Sequence, residues 1–175
     1  MSPRVSVIVP TLNDGAVVKR LLQDLQSMRT QGHEVILSDG GSDDHTCAMA
    51  TPWVDKLIQG EAGRAQQMNR AAAQAEGDIL WFIHADTTWL TPLPQLLEVL
   101  LQGATKWGYF QVRLEAQKPI YRIIAQCMNW RSHWSGIATG DQGIFVQRSL
   151  FMQLGGYASI PLMEDIELSK RLRAQ

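Results

Sequence analysis

Two side chains that could do chemistry follow an apolar run in the middle of the sequence. The segment DILWFIHADTTW (78–89) has five consecutive apolar residues and then the triplet His-Ala-Asp at 84–86. Residues two apart in an extended chain project to the same side, so His84 and Asp86 would lie together. An imidazole and a carboxylate can hold Mn2+ or Mg2+, and such an ion can neutralise a diphosphate. The alternative is that Asp86 caps the next turn and His84 bonds to the backbone.

Polar residues also follow three other strand-like segments, in PTLND (10–14), SDGGSDD (38–44) and GEAGR (60–64). In an open parallel sheet, ligands bind beyond the carboxyl ends of the strands, so these loops would share one edge. The glycines at 40 and 41 permit close backbone approach to a ligand, and Asp39 could accept hydrogen bonds from a base or ribose. The alternative is a tight turn capped by Ser42 or Asp43. The sequence has neither G-x-G-x-x-G nor a Walker motif, which disfavours dinucleotide and P-loop sites.

Two later segments carry further candidates. The segment MEDIE (163–167) begins a predicted helix with Glu164 and Asp165 in its first turn. The helix dipole alone favours acids there, but a carboxylate at such a junction could also act as a general base towards a hydroxyl. In TGDQG, Gly140, Asp141 and Gln142 form either a wall of an acceptor pocket or a hairpin turn.

The elements that position these residues alternate between strand and helix through the first hundred residues. Apolar runs predict strands over 5–10, 34–38, 55–59 and 78–84. Helical periodicity predicts helices over 15–28, 43–51 and 64–75, and another after Pro92 and Pro94. This alternation predicts an α/β fold with a mainly parallel sheet and helices on both faces.

The second part of the sequence is less regular. We expect a strand over 107–115, antiparallel to its neighbour, and a strand over 143–147. Helices are predicted over 119–135, over 149–157 and from 163 onwards. The helix 119–135 carries an apolar stripe: Ile120, Ile123, Ile124, Cys127 and Met128. With Trp130, Trp134 and two arginines beside it, the stripe could contact a bilayer or a lipid-linked acceptor, or simply pack on the sheet.

The composition narrows the class of protein. The chain has 175 residues, 45% hydrophobic and 19% charged, with a net charge of -1. These values predict one globular domain without a nucleic-acid-binding surface. Cys47 and Cys127 lack C-x-x-C spacing, which disfavours a disulfide framework and favours a reducing compartment. Neither a signal peptide nor an apolar stretch of about eighteen residues occurs, so we expect a cytoplasmic protein, with the inner face of the membrane as a further option.

The order of five segments is more specific than any one of them. They are SVIVPTLND, ILSDGGSDDHT, GRAQQMNRAAAQAEGDILWFIHADT, GDQGIFVQRSLFMQLGGY and PLMEDIELSKRL. Their succession resembles glycosyltransferase family 2, and within it a bacterial branch with His-Ala-Asp in place of Asp-x-Asp. The resemblance implies a GT-A fold, a mainly parallel mixed sheet with helices on both faces. It implies a single domain over 1–175, with a nucleotide-binding half over about 1–102 and an acceptor half over about 103–175.

The resemblance also implies roles for individual residues. It places these in the nucleotide pocket: Pro10, Thr11, Asn13, Asp39, Gly41 and Arg64. Asp39 would contact the base, although glycine follows it where the family usually has a second acid, and Arg64 would approach the phosphates. Asp86, with His84, would hold Mn2+ or Mg2+. Asp165 would be the general base, and Glu164 would support it or bind acceptor.

The implied reaction is inverting transfer of a sugar from a UDP- or GDP-sugar to an acceptor hydroxyl. His84 lacks the negative charge of an acid, so either metal affinity is lowered or His84 contacts the diphosphate itself. Family members continue beyond the Glu-Asp helix, which predicts a truncated chain or a degenerate gene product. Two other functions stay open: a sugar-nucleotide-binding protein that has lost catalysis, and a nucleotidyltransferase. The loop PTLND, which lacks a basic residue, disfavours the latter.

Overall fold

Six strands form one mixed sheet in the computed structural model, which describes residues 3–89, 91–101, 105–111 and 119–175. The strands are β1 (Val5–Thr11), β2 (Glu34–Asp39), β3 (Lys56–Gln59), β4 (Ile79–Phe82), β5 (Trp107–Gly108) and β6 (Phe145–Gln147). Their order across the sheet is β3-β2-β1-β4-β6-β5. β1 to β4 run parallel, whereas β6 is antiparallel to both β4 and β5. The prediction of a mainly parallel mixed sheet is confirmed.

Eight α-helices lie within the described residues. They are α1 (Val18–Asp24), α2 (Gln26–Thr30), α3 (Thr46–Ala50), α4 (Arg64–Gln74), α5 (Leu93–Leu101), α6 (Pro119–Ser135), α7 (Arg148–Gln153) and α8 (Glu164–Arg173). Short 3-10 turns follow α3 and precede β6. Each predicted helix therefore has a counterpart in the structure.

Two boundaries differ from the sequence prediction. The helix predicted over 15–28 begins only at Val18, after a turn in which the Asp14 carbonyl accepts the N–H groups of Val17 and Val18. It is interrupted at Leu25. Of the described residues in the strand predicted over 107–115, Trp107 and Gly108 pair with β6. The predicted residues 112–115 of that strand lie outside the described residues.

The core lies on both faces of the sheet, because successive strand residues point to opposite sides. Val7 and Val9 of β1 pack in one apolar cluster with leucines of α1 and α5. Ile8 packs in a second cluster with residues of α4, α7 and α8. The prediction of helices on both faces is confirmed.

Helix α6 buries one side and exposes another. Ser132 is fully buried, and its carbonyl accepts the Tyr109 hydroxyl at 2.7 Å. Trp130 and Trp134 are 72% and 78% exposed, with their rings 6.2 Å apart. The side chains of 119–125 and 128, which carry most of the predicted apolar stripe, lie outside the described part of the chain.

One buried amide joins the carboxyl ends of β1 and β2 to α4. Gln67 is 4% exposed, and its Nε2 donates to the carbonyls of Thr11 at 2.8 Å and Ser38 at 2.9 Å. Its Oε1 accepts the Gly63 N–H at 3.2 Å. Gly40 passes so close that a Cβ there would lie 3.1 Å from the Gln67 amide. The start of α4 is thus held against the ends of two parallel strands.

Gln67→Leu should lower the free energy of unfolding by about 3 kcal/mol, since it leaves buried carbonyls without a donor. The control is Gln74→Leu, at an exposed position near the end of the same helix, which should change stability by less than about 0.5 kcal/mol. Urea unfolding of the three proteins measures both values. Equal midpoints for the two variants would contradict the role assigned to Gln67.

Candidate active site

The loop after β2 is built around the Asp39 carboxylate. Asp39 is buried, and its Oδ2 accepts the N–H groups of Gly41 at 2.9 Å and Ser42 at 2.8 Å. Its Oδ1 accepts the Ser42 hydroxyl at 2.5 Å. Gly41 has a φ of 91°, in the region that favours glycine. Burial raises the pKa of Asp39, but the hydrogen bonds from Ser42 and Gly41 outweigh it, so the pKa lies below its ordinary value.

The loops after β1 and β2 are tied to each other. Thr11 pairs with Asp39 in the sheet register, and its hydroxyl lies 3.4 Å from the Asp39 carboxylate. The Asn13 N–H donates to the Ser42 hydroxyl at 2.9 Å, and the Asn13 side-chain oxygen accepts the Asp43 N–H at 3.0 Å. Asn13 has a φ of 57°, which is uncommon outside glycine. The structure therefore brings Pro10, at the end of β1, together with the other predicted nucleotide-pocket residues of these loops.

A cleft separates the start of α4 from the loop that leads into α8. Its volume is about 270 Å3, and it is lined by residues 63–66, 159–161 and Glu164. The Arg64 side chain is 55% exposed, and its Nε lies 3.9 Å from Oε1 of Glu164, whose side chain is 7% exposed. A guanidinium and a buried carboxylate thus face each other across the cleft. The predicted phosphate-binding and acceptor-binding residues meet here.

His84 follows β4 directly and contacts the TGDQG segment. Its Nδ1 lies 3.3 Å from Oδ1 of Asp141, and the backbone of 84–87 forms a turn in which His84 and Thr87 bond to each other. The hydrogen bond to His84 lowers the pKa of Asp141 despite partial burial, and the positive charge of Arg64 adds to the effect. On its other side, the His84 ring packs against Gly140, where a Cβ would lie 2.8 Å from Nε2.

Asp86 lies at the same end of β4 but is exposed. No hydrogen bond or ion pair joins its carboxylate to another described residue. Within the described ranges, no three side chains among His, Cys, Asp and Glu form a group that could hold a metal ion. Mg2+ at a diphosphate is usually held by one or two carboxylates together with phosphate oxygens. The Asp86 carboxylate fits that arrangement. With Asp141 at Nδ1 of His84, the ring nitrogen left for a metal is Nε2, which packs against Gly140.

Asp165 lies in the first turn of α8, where the second half of the chain reaches this edge of the sheet. Its Oδ2 accepts the Gly140 N–H at 2.5 Å, and its Oδ1 accepts the Ile166 N–H at 2.7 Å. Tyr157 is buried nearby, and burial together with the negative charges of Asp165 and Glu164 raises its pKa. Gly140 therefore links His84 on one side to Asp165 on the other.

Sequence reasoning missed two residues and one structural role in this region. Gln67 and Tyr157 are buried beside the site but carry no local signal, since glutamine in a helix is usually exposed and a tyrosine after two glycines suggests only a turn. The carboxylate of Asp39 caps its own loop, in place of the Ser42 or Asp43 cap given as the alternative. The side chain of an aspartate in a turn commonly accepts the backbone N–H groups two and three residues later, here those of Gly41 and Ser42. The position of Asp39 at the start of a turn-rich loop is the signal that could have indicated this capping role.

The sequence profile of glycosyl transferase family 2 matches residues 6–155. The chain belongs to glycosyl transferase family 2. An uncharacterized glycosyltransferase of Mycobacterium tuberculosis is 29% identical over 167 residues, which cover 89% of this chain and 63% of that protein. A probable glycosyltransferase of Bacillus subtilis is 26% identical over 97% of this chain and 46% of its own length. The chain thus spans about half to two thirds of the length of these relatives.

Solved structures show the same fold as this family 2 chain. A mannosyltransferase from Pyrobaculum calidifontis, in complex with GDP-Man and Mn2+, superposes with a TM-score of 0.75 at 22% identity, over 98% of this chain and 52% of that one. S. aureus TarS superposes with a TM-score of 0.76 at 19% identity, over 97% of this chain and 55% of that one. The predicted family and the predicted GT-A fold are both confirmed. No helix in the described ranges is both long and apolar enough to span a bilayer.

Ser42→Ala should raise the pKa of Asp39 towards its ordinary value of 3.8, because the carboxylate loses its side-chain hydrogen bond. Since folding lowers this pKa, the associated stability is present above about pH 4 and is lost as the pH falls through the pKa of folded Asp39. A carbon-13 NMR titration of the Asp39 carboxyl measures the shift. Ser149→Ala, at an exposed serine of α7, should leave the titration unchanged, and identical curves for both variants would refute the role of Ser42.

Proposed function

We propose that this site transfers a sugar from a nucleoside-diphosphate sugar to an acceptor hydroxyl, with inversion at the anomeric carbon. The observation that carries the proposal is the meeting of Asp165 with the His-Ala-Asp turn through Gly140, beside Arg64 and the Asp39 loop. Membership of family 2 supports the reaction class. Similar structures contain GDP-Man with Mn2+, or UDP with Mn2+.

The nucleoside would bind over the two tied loops after β1 and β2. Asp39 accepts three hydrogen bonds within its own loop and a fourth, longer one at 3.4 Å from the Thr11 hydroxyl. A base or ribose donor would replace the Thr11 hydroxyl at this carboxylate. Thr11, Asn13 and Gly41 would line the pocket with a backbone that is already ordered. A pre-formed pocket binds its ligand with less loss of conformational entropy than a loop that must first become ordered.

The diphosphate would lie between Arg64 and Asp86. Arg64 is the first residue of α4, so its guanidinium and the free N–H groups of the first helical turn both favour a negative charge. Asp86 would hold Mn2+ or Mg2+, and the bound ion would neutralise charge on the leaving diphosphate. That His84 is a second metal ligand stays a prediction; with Asp141 at its Nδ1, the bond to the ion would come from Nε2.

Asp165 would accept the proton of the acceptor hydroxyl as its oxygen attacks the anomeric carbon. The bond from that carbon to the diphosphate oxygen breaks in the same displacement, which inverts the configuration and releases the nucleoside diphosphate. Each Asp165 oxygen accepts one backbone N–H and keeps a lone pair for this proton. Glu164, on the cleft wall, would accept a hydrogen bond from a second hydroxyl of the acceptor.

Asp165→Asn should reduce transfer by about 10²- to 10⁴-fold, because the amide cannot accept the proton. Binding of UDP-glucose or GDP-mannose with Mn2+, measured by calorimetry, should stay within about twofold. Glu98→Gln, an exposed carboxylate on α5, serves as the matched control and should keep full activity. Retention of full activity by Asp165→Asn would refute the base assignment.

Asp86→Asn should remove most of the effect of Mn2+ on donor binding, since one ligand oxygen loses its charge. Calorimetric titrations with UDP and GDP, with and without Mn2+, measure this effect directly. The affinity of the variant in Mn2+ should fall to the affinity of the unaltered protein without metal. A variant that still gains affinity with Mn2+ as the unaltered protein does would show that another group binds the ion.

A further inference from the structure

The backbone of residues 138–142, which precedes β6, is hydrogen-bonded to α8 at two positions. The Ala138 N–H donates to the Ser169 hydroxyl at 3.2 Å, and that hydroxyl donates to the Ala138 carbonyl at 3.1 Å. One helical turn earlier, Asp165 accepts the Gly140 N–H at 2.5 Å. Asp165 and Ser169 are four residues apart and so lie on one face of α8. That face binds the segment 138–142.

The same segment is hydrogen-bonded to α6 through the Gln142 side chain. The Ser132 hydroxyl of α6 donates to Gln142 Oε1 at 2.8 Å, and this oxygen also accepts the Thr139 N–H at 3.0 Å. Both side chains are buried, Ser132 fully and Gln142 to 99%. The Nε2 of Gln142 has no partner among the described residues. Gln142 thus acts as a buried acceptor that closes the turn.

Gly140 has no space for a side chain in this arrangement. A Cβ at this position would lie 2.8 Å from His84 Nε2, 3.2 Å from His84 Cε1 and 3.5 Å from Asp165 Oδ2. Its backbone therefore fills the gap between the His84 ring and the Asp165 carboxylate. Any displacement of the segment 138–142 would move the donor of the hydrogen bond that Asp165 accepts.

We propose that Gly140 is a positioning residue for the base, and that Ser132, Gln142 and Ser169 fix the N–H that aims the Asp165 carboxylate. This inference rests on the proposed role of Asp165. An error of about 1 Å in the placement of a reacting group can cost about 10²-fold in rate. Gln142, predicted from sequence as part of an acceptor pocket, would then act from within the fold and not by touching the acceptor.

Ser132→Ala tests the hydrogen bond from α6 to Gln142, and Ser169→Ala tests the hydrogen bonds from α8 to Ala138. Each variant removes only a buried hydroxyl. With Mn2+ present, release of nucleoside diphosphate from UDP-glucose or GDP-mannose should show a kcat about 10-fold lower in each, with the donor KM within about twofold. Ser135→Ala is the matched control on α6: its hydroxyl bonds to Arg131 and Ile137 but not to the segment 138–142, so kcat should not change.

The Gly140 amide gives a second readout that needs no turnover. Its proton resonance, assigned by NMR with nitrogen-15 labelling, should move upfield in Asp165→Ala, where the acceptor is gone. It should move in the same direction, by a smaller amount, in Ser132→Ala and Ser169→Ala, and should stay in place in Ser135→Ala. An unmoved resonance in both serine variants would overturn the proposal.

The kinetic outcomes separate this inference from the function on which it rests. If Asp165→Asn is inactive while both serine variants keep the kcat of the unaltered protein, the positioning role is wrong and the base assignment stands. A donor KM that rises as much as kcat falls would also overturn the positioning role, because it indicates a general deformation of the site. If Asp165→Asn keeps full activity, the base assignment itself fails, whatever the serine variants do.

Discussion

The parallel pairing of β1 with β2 sets Thr11 beside Asp39 at the end of both strands, and the two loops proposed to bind the donor depend on this register. A shift by one residue would turn every side chain of a strand to the opposite face. This register brings together the loops after β1 and β2, and hydrogen bonds from Asn13 to Ser42 and from Asp43 to Asn13 then connect the two loops. Gln67 bonds to the same two strand ends, and so the first turn of α4 and Arg64 are placed relative to them.

The second half of the chain reaches this edge by a different route. The antiparallel strand β6 pairs with β4, so the segment before β6 lies next to the residues that follow β4. This places Gly140 and Asp141 against His84, and α8 completes the arrangement with Asp165. The residues proposed for the donor and for the acceptor thus come from different parts of the chain, and they would meet where the parallel strand β4 adjoins the antiparallel strand β6.

Much of the fold could be predicted from the sequence because its signals are local. Apolar runs that end in turn residues predict β1, β2 and β4, and the alternation of strands and helices predicts the parallel order. Candidate residues could be named because they follow strands. Their partners could not be named: Gln67 bonds to a carbonyl 56 residues away, and the contact of His84 with Asp141 depends on the pairing of β4 with β6. Nor does local sequence show that Gln142 turns inward, since a glutamine between glycines is compatible with an exposed turn.

The central claim is that one donor molecule spans this edge, from the Asp39 loop to the His-Ala-Asp turn. A crystal structure of the protein with Mn2+ and UDP-glucose or GDP-mannose tests it most directly. We predict the base over the loops after β1 and β2, the diphosphate between Arg64 and a metal ion on Asp86, and the anomeric carbon facing Asp165. A donor that binds elsewhere, or whose diphosphate contacts neither Arg64 nor the ion on Asp86, would contradict the account.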